Sequence, residues 1–168
     1  MKRLLVLAIL LLPCLALAGD PVFPADAIFG IWETEHDEPD VRWSHIEVYE
    51  EGGKVHGRIV WLSHPVYDEG DPDGPAGQPV VDTENKDEAL RSRPILGMEL
   101  MRGFEHNGKN KWEDGHIYDP ESGKDYRCKA TLKDTDTLEV FGYVKVGFVK
   151  LGRDSIWKRL SPEVDDSQ

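Results

Sequence analysis

Cysteine is nearly missing from this chain of 168 residues. One of the two, Cys14, sits in an apolar N-terminal run, which leaves Cys128 alone and excludes an intramolecular disulfide in the folded domain. A domain without that staple must hold together by burying a core. Basic charge is also scarce. Beyond the N-terminal run, 18 Lys and Arg face 32 Asp and Glu, a formal charge of −14. Such a surface repels phosphate backbones and anionic lipid heads, so nucleic-acid partners are excluded and a peripheral membrane role is poorly supported. Helical periodicity is missing too: no ten-residue amphipathic stretch and no internal repeat occur. Finally, the catalytic spellings are absent. There is no Gly-x-Ser-x-Gly, and the six histidines form neither an H-x-H nor an H-E-x-x-H pair.

What is present begins with an export signal. Lys2 and Arg3 precede the unbroken apolar run Leu4 to Leu12, and Ala16-Leu17-Ala18 is a small-x-small cleavage site. The run is too short for a permanent membrane span, so no stable insertion is expected after cleavage behind Ala18. Cys14 invites a lipoprotein reading, but Pro13 stands where a small residue belongs and the cleavage site lies downstream. A soluble protein of the periplasm or the external medium is the expectation. Residues 19–28, with Pro21 and Pro24, read as an extended lead-in, and 161–168 as a disordered tail.

Between them the chain is strand and turn. Strands are expected at about 29–35, 43–50, 54–62, 94–104, 110–119, 124–133, 137–149 and 154–160. They are separated by turn residues such as Gly52-Gly53, Asn107-Gly108 and Pro120 to Gly123. The side-chain period is near two. Tyr126, Cys128, Ala130 and Leu132 alternate with Arg127, Lys129 and Thr131, the pattern of a strand buried on one face. Eight such strands with short links predict an all-β fold, an eight-stranded antiparallel up-and-down barrel, which leaves no open edge and can enclose a small ligand. The connection 63–93 is far longer than a hairpin loop and reads as a lid over the mouth, rooted by Arg91 and Arg93. Within it, Asn85 and Glu88 are placed as the two ends of a capping box.

Gly30-Ile31-Trp32 opens the first strand and Trp157-Lys158-Arg159 closes the last. In a closed meander these strands are neighbours, and the Arg159 guanidinium can lie across the Trp32 indole. The alternative is a core tryptophan and a surface arginine that never meet. The pairing is similar to that of lipocalins and their calycin relatives. Beyond it, "HGRIVWL" (56–62), Asp82 with Asn85, "RSRPILGMELMRGF" (91–104), "WEDGHIYDPESGKDY" (112–126) and "LEVFGYV" (138–144) resemble an exported bacterial family catalogued as domain of unknown function 2147. In that family the asparagine is usually followed by proline, whereas Lys86 follows Asn85 here. The resemblance implies a lipocalin-like barrel and brings no catalytic residues.

Candidate chemistry is thin. Glu69, Asp71, Asp73 and Gly74 match the start of a calcium loop, but Val80 stands where a bidentate carboxylate is required. No metal and no cofactor is expected. Trp112, Asp114, His116 and Tyr118 alternate on the fifth strand and would share one face. If that face is interior, with Trp61, Tyr126, Asn85 and Arg93, it forms an apolar site with a few orienting polar tips. The favoured function is non-catalytic binding of a small apolar or amphipathic molecule, with Gly30, Trp32 and Arg159 closing the far end. Two rivals remain: an enzyme using His116, Asp114 or Cys128 at the mouth, and a solid barrel whose long loop docks a partner protein.

Overall fold

The protein is described by a computed structural model covering residues 19–34 and 43–161. The expected leader (1–18) and residues 162–168 of the expected tail lie outside the described residues. Eight strands form one closed antiparallel barrel: β1 (Gly30–Thr34), β2 (Ser44–Glu51), β3 (Lys54–Leu62), β4 (Glu99–His106), β5 (Lys111–Asp119), β6 (Lys124–Asp134), β7 (Thr137–Val146) and β8 (Val149–Arg159). Each pairs with its sequence neighbour, and β1 pairs with β8. The helical turns among the described residues are two short 3-10 segments, Ala25–Ile28 and Glu88–Leu90. The lead-in is therefore not wholly extended: Pro24, with its fixed φ, starts the first of these turns.

The first and last strands meet, the outcome in which Trp32 and Arg159 are partners. Trp32 and Arg159 are direct partners across the β1–β8 seam, and the guanidinium lies 4.1 Å from the indole centroid. Arg159 also donates to three carbonyls, those of Ala27, Phe29 and Thr135, each at 2.6 Å. The indole N–H of Trp32 donates to the Ile28 carbonyl at 2.9 Å. Gly30 is required here for two reasons. Its φ of 129° suits no side chain, and a Cβ would lie 2.9 Å from Arg159 Nη1. The Ala25–Ile28 turn plugs this end, taking the Trp112 indole N–H on the Ala25 carbonyl, while Phe23 N–H bonds the Lys109 carbonyl.

Above the plug the interior is filled by Ile46, Val48, Phe104, Leu132, Leu138 and Trp157, all buried. Apolar alternation put these residues inward, and their contact is what removes the barrel's apolar faces from water. The other end is open, and the connection between β3 and β4 crosses it. That connection has structure of its own. It folds back on itself through the bridges Val66–Pro79 and Val81–Pro94, and Tyr67 is buried beneath it.

Three sequence expectations need correction. β4 begins at Glu99, not at residue 94, because Ile95, Gly97 and Met98 donate to carbonyls of the connection and of β3 rather than extending the ladder. β7 ends at Val146 and β8 begins at Val149, not at 154. Gly147, at φ 60°, turns the chain inside an apolar run that reads as one strand. The proposed common face of β5 does not exist. A register shift between Trp112 and Gly115, with Asp114 at φ 57°, inserts an extra residue. Trp112 stays in the core, whereas Asp114 and His116 are thrown outward and exposed.

The β7–β8 ladder is longer than the ladders on either side of it, running from Thr137–Lys158 to Val146–Val149. Its inward row runs Leu138, Val140, Gly142, Val144 and Val146, paired with Trp157, Ser155, Arg153, Leu151 and Val149. Near Leu138 this row is core; at Val144, Val146, Val149 and Leu151 it is exposed beyond the mouth.

Candidate functional site at the barrel mouth

A cavity of about 450 Å³ lies at the open end, between the filled lower barrel and the β3–β4 connection. Its apolar wall comes from Ile59, Leu62 and Leu100 on the barrel and from Val80, Val81 and Ile95 on the connection. Trp43, at the entry to β2, and Tyr67 add aromatic surface. The ionisable groups on its lining are His64, Asp73, Glu84, Asp119 and Glu121, with no lysine or arginine among them. The Asp119 carboxylate is already engaged by Glu121 N–H at 3.0 Å and by the Ser122 hydroxyl at 2.5 Å.

The connection is held over this cavity by a buried carboxylate. Asp82 is fully buried and accepts from Arg93 Nη2, Asn85 Nδ2 and the Tyr118 hydroxyl, each at 2.7 Å. Asn85 in turn accepts from Asp87 N–H on its side chain and from Arg91 Nε on its backbone carbonyl. Arg91 and Arg93 thus root the connection, as the sequence led us to expect. The β5–β6 turn is clamped against the same node: Gly123, at φ 61°, lies so close to the Glu84 carbonyl that a Cβ would fall 1.8 Å from its oxygen. Asn85 is not a helix cap. Asp87 caps the Glu88–Leu90 turn, accepting from Ala89 N–H.

A family model described as "Uncharacterized protein conserved in bacteria (DUF2147)" matches residues 30–159. The chain belongs to that family. Among solved structures it is similar to protein HP1028 from the human pathogen Helicobacter pylori, described as belonging to the lipocalin family. The two share 27% identity over 80% of this chain and 83% of that one, with a TM-score of 0.62. No curated protein matches. Family membership, the lipocalin-like fold and the closed eight-stranded barrel agree with the reading from residues.

For this family member, the eight expected site residues fall in six places, and none lines the cavity. Asn85, Arg93 and Tyr118 form the Asp82 node. Trp112 belongs to the plugged end. Trp61 is 40% exposed on the outer wall, stacked on His45 at 4.3 Å and near Trp43 at 5.9 Å. His116 lies in a shallow outer groove with Arg102, Asp125 and Tyr143, Asp114 is exposed at the bulge, and Tyr126 is half-buried opposite Ile117. The residues that sequence reasoning passed over carry a faint signal. Two of the apolar lobes that line the cavity follow a proline: Pro79-Val80 and Pro94-Ile95. Proline fixes its own φ and holds the residue before it extended, so each lobe enters on a constrained backbone.

Cys128 is buried on the interior face, and desolvation pushes its thiol pKa to about 12. His116 lies on the outer face, so the two cannot act as a pair. Glu51, His56 and Glu99 place potential ligand atoms within 4.8 Å of one another on the outer wall. There Glu99 already accepts from the Tyr49 hydroxyl at 3.2 Å and faces His56 Nδ1 at 3.1 Å.

Tyr118 gives the node a pH signature. Desolvation first, and then the hydrogen bond to Asp82, raise its pKa from 10.0 to about 12. A raised pKa means the folded protein holds this proton more tightly than the unfolded chain. The stabilisation is complete below pH 10 and is lost as pH rises toward 12. In an ultraviolet titration of the phenolates, one tyrosine should ionise near pH 12, and that late step should vanish in Tyr118→Phe. A titration identical in the variant would remove the node's hold on this hydroxyl.

Proposed function

We propose that this protein binds a small amphipathic molecule at the mouth of its barrel without transforming it, in the periplasm or outside the cell. The observation that carries the reading is the cavity itself. The lower barrel is solid, yet about 450 Å³ stays open beneath a connection that is tied down by a dedicated buried node. That volume lies in the range of small-ligand sites. Six aliphatic side chains would remove ligand surface from water at roughly 25 cal/mol per Å². The polar end of the ligand would lie among Asp73, Glu84 and Glu121, which favours a cationic or hydrogen-bond-donating head over an anionic one. The lipocalin-family description of HP1028 supports the same class of role. Export rests on the basic, apolar and Ala16-Leu17-Ala18 segments of the leader.

The enzyme reading has less behind it. The candidate nucleophile Cys128 is buried with a raised pKa, and the candidate base His116 is on the opposite face of the sheet. The interaction-module reading would require the interior to be filled to the mouth.

The test is a fluorescence titration with N-phenyl-1-naphthylamine, an uncharged apolar probe, in wild type and Leu62→Trp. Leu62 lines the cavity and is only partly buried, so an indole there fills the cavity rather than overpacking the core. Probe affinity should fall at least tenfold, about 1.4 kcal/mol, with Tm within a few degrees of wild type. No probe enhancement in wild type, or equal affinity in the variant, would sink the carrier role. Native mass spectrometry of protein isolated from its own envelope then addresses the natural occupant.

A further inference from the structure

We infer that the tip of the β7–β8 hairpin docks the protein onto a bilayer that carries anionic phospholipid. The tip is a two-residue turn, Gly147-Phe148, and Phe148 is fully exposed. The pair Val146–Val149 follows, and then Val144–Leu151, all exposed on the face that nearer the core is buried. Exposed apolar side chains so grouped on a soluble domain mark a contact surface.

Charge selects the occupant. From Val140 to Arg153 the chain has no acidic residue, although acids outnumber bases in the molecule as a whole. The same stretch carries Lys145, Lys150 and Arg153. Lys145 and Lys150 are direct cross-strand partners, a like-charge pair that is unfavourable unless an anion meets it. Among the described residues none of the three has an acidic partner; Lys150 lies over the Tyr143 ring at 4.3 Å. The lysine pair sits one residue behind the Val146–Val149 pair, roughly 3.4 Å along the strands. A tip inserted as far as Val146 and Val149 therefore brings both ammonium groups to the level of the phosphates. Phe148 and the valines supply the apolar wedge, and long lysine stems reach up to the headgroups. Asp125, which lines the same outer groove as Lys145, is paired with Arg102, and acidic groups farther than about 8 Å away are screened at physiological salt. The inference stands whether or not the cavity takes a ligand.

Vesicle flotation tests it with the full mature chain. Vesicles of 70% phosphatidylcholine and 30% phosphatidylglycerol should carry the wild type upward. Pure phosphatidylcholine vesicles, or 1 M NaCl, should leave it behind. Phe148→Asp should reduce flotation at least tenfold, and Lys145→Glu with Lys150→Glu should do the same. Phe148 is at the exposed turn, so an unchanged circular dichroism melt is expected of Phe148→Asp and serves as the folding control. Three results would each overturn the inference. One is no flotation at any phosphatidylglycerol content. Another is equal flotation of Phe148→Asp, or of wild type on neutral vesicles. The third is a dimer in sedimentation velocity that Phe148→Asp dissolves without any vesicle binding, which would give the face to a second copy of the chain.

Discussion

Replacing Asp82 by alanine is expected to destabilise the protein by roughly 2–4 kcal/mol and to free the connection over the barrel mouth. The carboxylate is fully buried, and removing it strands an arginine, an amide and a phenol at once. Losing one member of a wholly buried ion pair costs about 3–5 kcal/mol, but the Arg93 side chain keeps 37% of its exposure and can recover some hydration. The loss should appear as a lower urea midpoint. It should also appear as faster amide exchange at Asp82, Asn85 and Ile95, whose N–H groups bond within the connection or its flanks. Asp82→Asn keeps an acceptor for Tyr118 and loses the charge partner of Arg93, so its effect should be intermediate. If the alanine variant matched wild type in both midpoint and exchange, the node would not be what holds the connection down.

Arg159→Ala carries the second large effect. The guanidinium makes three hydrogen bonds to backbone carbonyls and covers the Trp32 ring. Hydrogen bonds from a charged donor are worth roughly 1.5–3 kcal/mol each, and the cation–π contact about 1. The contributions are not additive and the side chain is 22% exposed, so a net loss of about 3 kcal/mol is expected. The near-ultraviolet dichroism of the buried indole should weaken in parallel. Arg159→Lys should recover less than half, because an ammonium cannot span carbonyls on both the Ala25–Ile28 turn and the Thr135 turn. An unchanged melting temperature and dichroism would mean that the seam closes without this side chain.

These two sites mark what the sequence disclosed and what it withheld. The seam was legible because Gly30 and Trp32 open the first strand and Arg159 closes the last, and contact across a closed seam was one of the two explanations open for them. Strand alternation gave the rest of the barrel, and failed where a local event cancels the period. The insertion at Asp114 reversed the outward and inward sense of half of β5, and a glycine alone marked the turn inside Val144–Leu151. The cavity was not legible. Its wall is assembled from short apolar pairs behind prolines in a segment with no period to read. The conspicuous polar residues of the same segment, Asn85 and Arg93, bond to Asp82 and do not line the cavity.

The plugged end has a practical corollary for any attachment to this protein. Phe23 is bonded to the turn after β4, and Leu160 N–H reaches the Ile31 carbonyl, so both ends of the barrel domain emerge beside the stopper. A tether at either terminus, whether a tag, a surface linker or a lipid, would suspend the molecule by its base. The cavity and the valine-lined tip would then hang free on the opposite pole, open to whatever lies across the gap.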